Sequence, residues 1–285
     1  MELHYILDYA MRNKENASYG VGYEIDNKKY DRYMSNEGWE RYLAEMSEDH
    51  RNQYKDGDGG ELKEGQYPPK MACYGSSSRI IYTCLREVGG IKFEHQLPTR
   101  VGSRPANLDA YLYTDRRDIF VEAKCREIYV KHGKVKASRT YCEVYEQIRD
   151  SLNNFAFDKE FVKKKNGEID ECNYYYSFFY CDKPIERFDI KQLISHFLGI
   201  AAGVLEGVIK DNIRFVYFIY NPKELGNEAL TGVYKDTINE KDKIDIKELF
   251  KAVFDFQKQN LQIEKEMPKF EFILADQNDI IDKLK

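Results

Sequence analysis

The sequence predicts an α/β fold in which a mixed central β-sheet is flanked by helices. With 285 residues the chain can bury one large core or two modest ones, so a single elaborated domain over residues 1–285 is the simplest organisation. Three strand-like runs follow a predicted helix, and an apolar helix and a further strand come after a long polar stretch. The core order α-β-β-β-(insertion)-α-β fits a sheet covered by helices.

The predicted core covers about residues 57–222. It begins with a helix over residues 76–88, which starts at a run of serines and ends before a pair of glycines. Strands are then predicted over residues 91–97, 107–113 and 118–125. A helix over residues 189–207 has apolar residues on most sides and should be buried, and a strand over residues 213–220 completes the core.

Three segments outside the core contain fewer predicted elements. They are an N-terminal extension (residues 1–56), an insertion (residues 126–186) and a C-terminal extension (residues 223–285). The elements predicted within them are helices over residues 36–46, 142–155 and 245–259 and strands over residues 174–180 and 269–275.

The composition argues against a membrane protein. The longest apolar runs are too short to cross a bilayer, so no membrane partner is expected. The first residues contain neither a basic segment nor an apolar signal region, which favours a cytoplasmic location. The cysteines are irregularly spaced and show no zinc-binding pattern, so they are expected to be reduced thiols.

A net charge of −5 provides no overall attraction to nucleic acid, so any contact with DNA must come from a local basic patch. The densest basic stretch follows Lys124 and has Glu127 as its single acidic residue. Its basic residues are Arg126, Lys131, Lys134, Lys136 and Arg139. This stretch predicts a nucleic-acid-binding surface, and an ordinary solvated loop explains it equally well.

The second and third predicted core strands form a hairpin that places charged residues on one face. A four-residue loop joins the strands, and if it is symmetric, Tyr113 opposes Asp118. Counting back places Asp109 opposite Glu122, with Lys124 pointing to the same side. Two opposed carboxylates repel each other, so the arrangement requires a cation, which a divalent metal would supply.

An aspartate, a glutamate and a lysine on one face suit the cleavage of phosphodiester bonds. The carboxylates would hold magnesium, which activates water and polarises a phosphate, while the lysine positions the water or helps to remove its proton. The same residues could instead form the solvent-facing polar side of an ordinary hairpin, with Lys124 neutralising Glu122. An isolated match to this pattern recurs by chance, so the residues alone leave both interpretations open.

Asp109 followed by Glu122-Ala123-Lys124 resembles the signature of the PD-(D/E)XK nuclease superfamily, and the predicted order matches its αβββαβ core. Leu108 stands where proline is typical, a variant common in the family. Phrases that resemble a bacterial group of the superfamily are Gly59-Gly60-Glu61-Leu62, Pro69-Lys70-Met71, Tyr74-Gly75-Ser76-Ser77-Ser78, Phe93-Glu94, Asn107-Leu108-Asp109, Glu122-Ala123-Lys124-Cys125-Arg126-Glu127 and Gln192-Leu193-Ile194-Ser195-His196.

The resemblance implies a restriction-endonuclease-like fold. It also implies a magnesium-dependent nuclease, with manganese as a substitute for magnesium, that acts on DNA in defence or repair. Its metal ligands would be Asp109, Glu122 and the backbone carbonyl of Ala123, with Lys124 as the catalytic lysine. Many members dimerise to cut both strands, so a homodimer is a further expectation, although the sequence carries no interface signal.

The resemblance also implies roles for residues around this hairpin. Glu94 would add a carboxylate near the metal, or is a surface charge. Gln192, on the buried helix, would lie beside the lysine and orient the water or the phosphate. His196, one turn further, is expected to be a core histidine with satisfied ring nitrogens. Ser77 is first a helix cap, although amides at a helix start can also hold phosphate.

Glu61 and Glu87 are interpreted as surface charges. Two alternatives to a nuclease remain: a catalytically silent nucleic-acid- or protein-binding member of the same fold, and an unrelated hydrolase or structural protein in which the motif is accidental. The presence of all three motif residues argues against the silent alternative. Juxtaposition of the three on one hairpin, with Gln192 nearby, would argue against an accidental motif.

Overall fold

A computed structural model describes residues 2–57, 60–63, 65, 67–102, 104–131, 134–163 and 169–285. The helices are α1 (Leu3–Tyr19), α2 (Asn36–Glu45), α3 (Glu48–Asp56), α4 (Ser77–Leu85), α5 (Arg139–Arg149), α6 (Ile190–Leu205), α7 (Glu228–Lys241), α8 (Ile246–Leu261) and α9 (Ile280–Lys283). The strands are β1 (Tyr23–Ile25), β2 (Lys28–Tyr30), β3 (Ile91–Leu97), β4 (Ala106–Tyr113), β5 (Asp118–Lys124), β6 (Val135–Ser138), β7 (Phe155–Lys163), β8 (Ile169–Tyr180), β9 (Lys183–Pro184), β10 (Asn212–Ile219) and β11 (Lys269–Ala275).

The central sheet has five strands in the order β11-β10-β5-β4-β3. Strands β3, β4 and β5 are antiparallel, whereas β10 is parallel to both β5 and β11. Every residue of β5 is buried, and helices α4 and α6 both pack against the sheet. The predicted α/β class with a mixed, helix-flanked sheet is confirmed, and the bounds of β3, β4, β5, α6 and β10 lie within two residues of their predictions.

Helix α6 lies directly against the sheet because Gly199 has no side chain. A Cβ atom at Gly199 would lie 2.7 Å from Cβ of Leu97 and 3.3 Å from Cβ of Ala106, so a larger residue would push the helix away from β3 and β4. Most of α6 is buried, as predicted, and α8 covers part of it. This close contact fixes where Gln192 and His196 lie relative to β5.

The first core helix begins at the predicted run of serines and ends three residues earlier than predicted. The hydroxyl of Ser76 accepts a hydrogen bond from the Arg79 amide at 3.4 Å, so Ser76 is the N-cap of α4. Ser77, predicted to be a cap, is already helical and donates to Glu127 Oε1 at 3.2 Å. The helix ends at Leu85, before the predicted residue 88, because the chain turns there to enter β3.

The insertion forms a second sheet, where the sequence predicted one strand. Strands β6, β8 and β7 pair in antiparallel order, and β9 joins β8. The helix predicted over residues 142–155 is wrong at its end, since α5 stops at Arg149 and Phe155 begins β7. Tyr145 of α5 packs its ring against Tyr176 and Phe178 of β8, at 4.9 and 5.6 Å. These cross-element aromatic contacts favour the sheet over a longer helix.

The terminal regions contain more structure than predicted. Helices α2 and α8 and strand β11 agree with their predictions, but α1, α3, α7, α9 and the β1-β2 hairpin were missed. Helix α1 fully buries few apolar residues, such as Leu7 and Met11, so its sequence shows little periodicity. The cysteines whose side chains are described are free thiols. Across the described part of the chain, no helix has the length and apolar character of a membrane span.

Candidate active site

The hairpin of β4 and β5 has the predicted register over its first part. Tyr113 opposes Asp118, and the ladder continues up to Ala110 opposite Val121. Beyond that pair the strands no longer register. In contrast, the ladder between β5 and β10 extends to the last residue of β5. One side of β5 is therefore paired throughout, and the other opens near its end.

Asp109 and Glu122 lie where β4 and β5 separate, a region named here the open side of β5. The two residues were predicted to face each other as a ladder pair, and they do not form one. Instead, Asp109 Oδ2 accepts a hydrogen bond from the amide of Ala123 at 2.6 Å. Because the N–H and C=O of one strand residue point the same way, the Ala123 carbonyl also faces this opening. The open side thus brings together side-chain and backbone oxygens.

Strand β3 contributes a further carboxylate beside this opening. Glu94 is the one position inside β3 that does not pair with β4, and its φ of +50° is in the left-handed region. That conformation costs a non-glycine residue about 1–2 kcal/mol, and such strain clusters at functional sites. Asn107 Nδ2 donates to Glu94, which is buried. Glu61, predicted on the surface, is also buried, whereas Glu87 is exposed as predicted.

Lys124 connects the open side to helix α6. Its Nζ atom lies 2.5 Å from Glu122 Oε1 and also donates to Gln192 Oε1. Glu122 and Lys124 are only 2% and 6% exposed, so they are not the solvent-facing polar side of an ordinary hairpin. The position of Gln192 beside the lysine agrees with its predicted location. These contacts hold the lysine ammonium in a dry environment, where its field is strong.

The buried charges change one another's pKa values. Burial raises the pKa of Asp109 well above its usual range, and repulsion from Glu122 and Glu94 adds to the effect. Burial likewise raises the pKa of Glu94 to about 7. Burial would also raise the pKa of Glu122, but Lys124 and His196 outweigh it and hold that pKa at about 2. Burial opposes the charge on Lys124, yet the adjacent Glu122 keeps the lysine pKa well above its usual value.

His196 was predicted to be a satisfied core histidine, and the structure contradicts this. Its Nε2 atom lies 2.9 Å from Glu122 Oε2, but without hydrogen-bond geometry. Both ring nitrogens and Glu122 Oε2 are therefore buried without a hydrogen-bond partner. Leaving a buried polar group unpaired costs about 1–3 kcal/mol, so such groups require an explanation. A cation or a ligand group at the open side would supply one for the carboxylate.

Tyr217 is a site residue that the sequence reasoning missed. It lies beside Glu122 in the register of β10 with β5, and its buried hydroxyl has no hydrogen-bond partner. Burial raises its pKa, although the charge of Lys124 opposes the shift. Alternation along β10 indicates that Phe215 and Tyr217 share a face. Placing that face beside Glu122 required the register of two strands far apart in sequence.

The oxygens at the open side suit a small, hard cation held by few protein ligands. Magnesium is typically bound through one or two carboxylates and completed by water and substrate phosphates. Asp109, Glu122 and the Ala123 carbonyl could provide such a set. Within the described residues, no group of three or more His, Cys, Asp or Glu side chains could hold a metal. A metal at the open side would therefore have to be held by fewer side chains, with backbone, water or substrate oxygens as its other ligands.

Known proteins provide no independent guide to this site. No family model, curated protein or solved structure matches the chain. The resemblance to PD-(D/E)XK nucleases thus rests on the motif residues themselves. What the site can do follows from the side chains that β4, β5 and α6 bring together.

The basic residues predicted to bind nucleic acid differ in their surroundings. Four have carboxylate neighbours: Arg126 with Asp8 (3.4 Å), Lys131 with Glu186 (2.5 Å), Lys134 with Glu160 (2.6 Å) and Arg139 with Glu143 (3.7 Å). Asp8 is fully buried, so Arg126 connects the hairpin to helix α1. Lys136 is exposed and forms no ion pair with any described residue. Of this group, Lys136 is the best placed to meet a phosphate.

A cleft of about 940 Å³ adjoins Gln192 on the side of the insertion. One wall is formed by Val101, Gly102, Arg104 and Pro105, between β3 and β4, and the other by residues of β6 and the start of α5. Gln192 and Ser195 of α6 line it as well. Asp109 and Glu122 do not line the cleft. Gln192 is therefore the side chain that joins the cleft to Lys124.

Proposed function

We propose that this protein is a divalent-metal-dependent nuclease with a restriction-endonuclease-like core, which hydrolyses phosphodiester bonds, with DNA as the expected substrate. The observation that carries the proposal is the convergence of Asp109, Glu122 and Lys124 at the open side of β5, with Gln192 against the lysine. Each residue type has a separate task in phosphoryl chemistry.

Asp109, Glu122 and the Ala123 carbonyl would hold the magnesium, with manganese as a substitute. When bound, the metal lowers the pKa of water and polarises the phosphate. Lys124 would act as a cation that stabilises charge developing on the phosphate, and it would position the attacking water or help to remove its proton. The adjacent Glu122 raises the pKa of Lys124 and so favours the first of these roles.

Gln192 and Glu94 support this arrangement from two directions. Gln192 accepts a hydrogen bond from Lys124 and so fixes the direction of the ammonium group. Its position in the cleft wall also allows its amide to meet an incoming phosphate. Glu94 raises the pKa of Asp109 through repulsion, which strengthens the preference of the site for a cation.

A catalytically silent nucleic-acid- or protein-binding protein of the same fold is the second candidate. The 2.5 Å ion pair of Lys124 with Glu122 favours it, because that contact neutralises both charges without a metal. A buried pair of this kind could simply fix the local structure. The two candidates differ in one respect: a silent protein would bind its partner without a metal requirement and leave phosphodiester bonds intact.

The test combines metal binding with cleavage. Supercoiled plasmid, linear duplex, single-stranded DNA and RNA are incubated with magnesium, manganese or EDTA, and manganese binding is measured by calorimetry. The variants are Asp109→Asn and, as a matched control, Asp115→Asn in the exposed hairpin loop. We expect metal-dependent cleavage by the wild type and the control, and at least about 100-fold slower cleavage by Asp109→Asn.

Each other outcome has a clear meaning. Equal cleavage by all three proteins would indicate a contaminant and remove the support for a nuclease. Nucleic-acid binding with neither metal binding nor cleavage would favour the silent protein. The substrate that is cut fastest would identify the preferred nucleic acid and its strandedness.

A further inference from the structure

We infer that the cleft beside α6 binds one strand of a nucleic acid and directs its backbone toward Gln192. The inference deepens the nuclease function proposed above and rests on it. It concerns a surface built largely by the insertion and by the β3-β4 connection, and not the motif residues. Three observations carry it: the charges that line the cleft, its fixed walls and its size.

The charges that line the cleft favour a polyanion. Arg104, Lys136 and Lys191 line it, and among the described residues Asp189 is the one carboxylate that does so. Asp189 Oδ1 already accepts a hydrogen bond from the Gln192 amide at 3.0 Å, as the N-cap of α6. Lys191 Nζ donates to the Lys136 carbonyl at 2.7 Å and pairs with no described carboxylate.

The contrast with neighbouring lysines makes this pattern informative. Lys131 and Lys134, in the same basic stretch but outside the cleft lining, each pair with a glutamate. Arg104 and Lys136 have no carboxylate within ion-pair distance in the described ranges. When such cations neutralise phosphates, the counterions condensed on the nucleic acid are released, and this release is the main source of non-specific affinity.

Contacts with α6 and α8 hold the wall formed by the β3-β4 connection in place. Buried Gln257 of α8 donates to the carbonyl of Thr99 at 2.5 Å and to that of Leu198 at 3.0 Å. Arg100 forms a two-pronged ion pair with Glu206, at 2.7 and 2.9 Å. These contacts tie the connection to α6 and α8, so binding requires little ordering of this wall.

The size and lining of the cleft favour a single strand over a duplex. Its volume of about 940 Å³ is near the upper end of the ~300–1,000 Å³ typical of small-ligand sites, which suits a short stretch of one chain better than a duplex. Tyr141 lines the cleft beside the cations, and its hydroxyl lies 2.9 Å from Ser195 Oγ. An aromatic ring in a basic groove is typical of single-strand binding.

The test is a binding experiment without metal, so that cleavage does not interfere. Fluorescence anisotropy in EDTA compares a labelled oligothymidine with a duplex of equal length, across a range of salt concentrations. The variant combines Arg104→Ala, Lys136→Ala and Lys191→Ala. Lys235→Ala is the control, since this exposed lysine lines a different cavity. Thermal denaturation establishes that both variants fold.

We expect the wild type and Lys235→Ala to bind the single strand more tightly than the duplex. At about 0.1 M salt the triple variant should bind the single strand about 100-fold more weakly, with a salt slope smaller by about 2, because each lost phosphate contact removes about 0.7. Unchanged affinity in the triple variant, or tighter binding of the duplex by the wild type, would overturn the inference.

Cleavage assays separate this inference from the proposed function. If the triple variant cuts single-stranded DNA at the wild-type rate with magnesium, the nuclease proposal stands and the cleft inference falls. If the wild type neither binds nor cuts any nucleic acid, both fall. If cutting of single strands is lost with the cleft cations while the metal still binds, both are supported.

Discussion

The two sides of strand β5 differ in a way that explains the candidate site. Toward β10 the ladder is complete, from Asp118 beside Ile213 to Lys124 beside Ile219, and the Tyr220 amide donates to the Lys124 carbonyl at 3.0 Å. Toward β4 the ladder stops before Glu122. The complete side, named here the paired side of β5, holds the strand rigidly. The open side leaves side chains and backbone oxygens for a ligand.

One strand thus combines a well-packed edge with a candidate site. On the paired side the contacts are apolar and aromatic: Phe215 lies between Phe120 and Phe272 in register and is fully buried. On the open side, carboxylates are buried and one carboxylate oxygen lacks a hydrogen bond. We expect the buried carboxylates of the open side to lower stability and the apolar contacts of the paired side to offset that cost. Catalytic sites commonly concentrate such unfavourable contacts.

The largest expected effect comes from a substitution that disrupts the paired side. Phe215→Ala should lower the free energy of unfolding by about 3–5 kcal/mol, because it removes a fully buried ring from the centre of three strands. Tyr111→Ala is the counterpart on the hairpin with β4, where the ring is only partly buried, and should cost less. Urea unfolding at neutral pH measures both. Equal costs would contradict the assignment of stability to the paired side.

The next largest effect measures how much a buried carboxylate at the open side lowers the free energy of unfolding. Because the folded-state pKa of Glu94 is raised to about 7, the wild type should lose stability as pH rises from about 4.5 to 7. Glu94→Gln removes this contribution and should exceed the wild type by up to about 3 kcal/mol at pH 8 in EDTA. Asp109 contributes in the same direction in both proteins. Urea unfolding at pH 4 and pH 8 measures the free energy of unfolding of both proteins. An equal change in the two proteins between these pH values would contradict the account.

The smallest expected effect is the gain in stability when a cation binds at the open side. Magnesium at about ten times its dissociation constant should stabilise the protein by about 1.4 kcal/mol, which raises Tm by about 2–3 °C. Asp109→Asn should lose this increase and Asp115→Asn should keep it. Differential scanning calorimetry gives the values. An equal increase in all three proteins would place the cation elsewhere.

Much of the core could be predicted from the sequence because its patterns are strong. Strand β3 and helix α6 have clear apolar periods, and Gly199 gives the helix a flat contact with the sheet. Helix α7 was missed because it buries only Leu230, Val233 and Thr237, a pattern too sparse to recognise. In the insertion, aromatic contacts between α5 and β8 determined the boundary, and no local signal reports them.

The candidate site divides in the same way. Alternation along two adjacent strands was enough to place Asp109, Glu122 and Lys124 near one another. The end of the ladder, the contact of His196 with Glu122 and the presence of Tyr217 depend on how β10 and α6 pack on β5. The burial of Asp8 beside Arg126 likewise joins segments far apart in the chain. Such contacts are determined by tertiary packing and have no local signature.

Lys124 provides the most direct test of the central claim, that the open side of β5 hydrolyses phosphodiester bonds. Single-turnover cleavage with magnesium should be compared between the wild type, Lys124→Met and Lys92→Met, whose lysine is exposed on β3 of the same sheet. We predict that Lys92→Met cuts at the wild-type rate and that Lys124→Met is slower by about 10²–10³-fold, since it loses the cation beside the phosphate. A folded Lys124→Met variant that cuts at the wild-type rate would contradict the account.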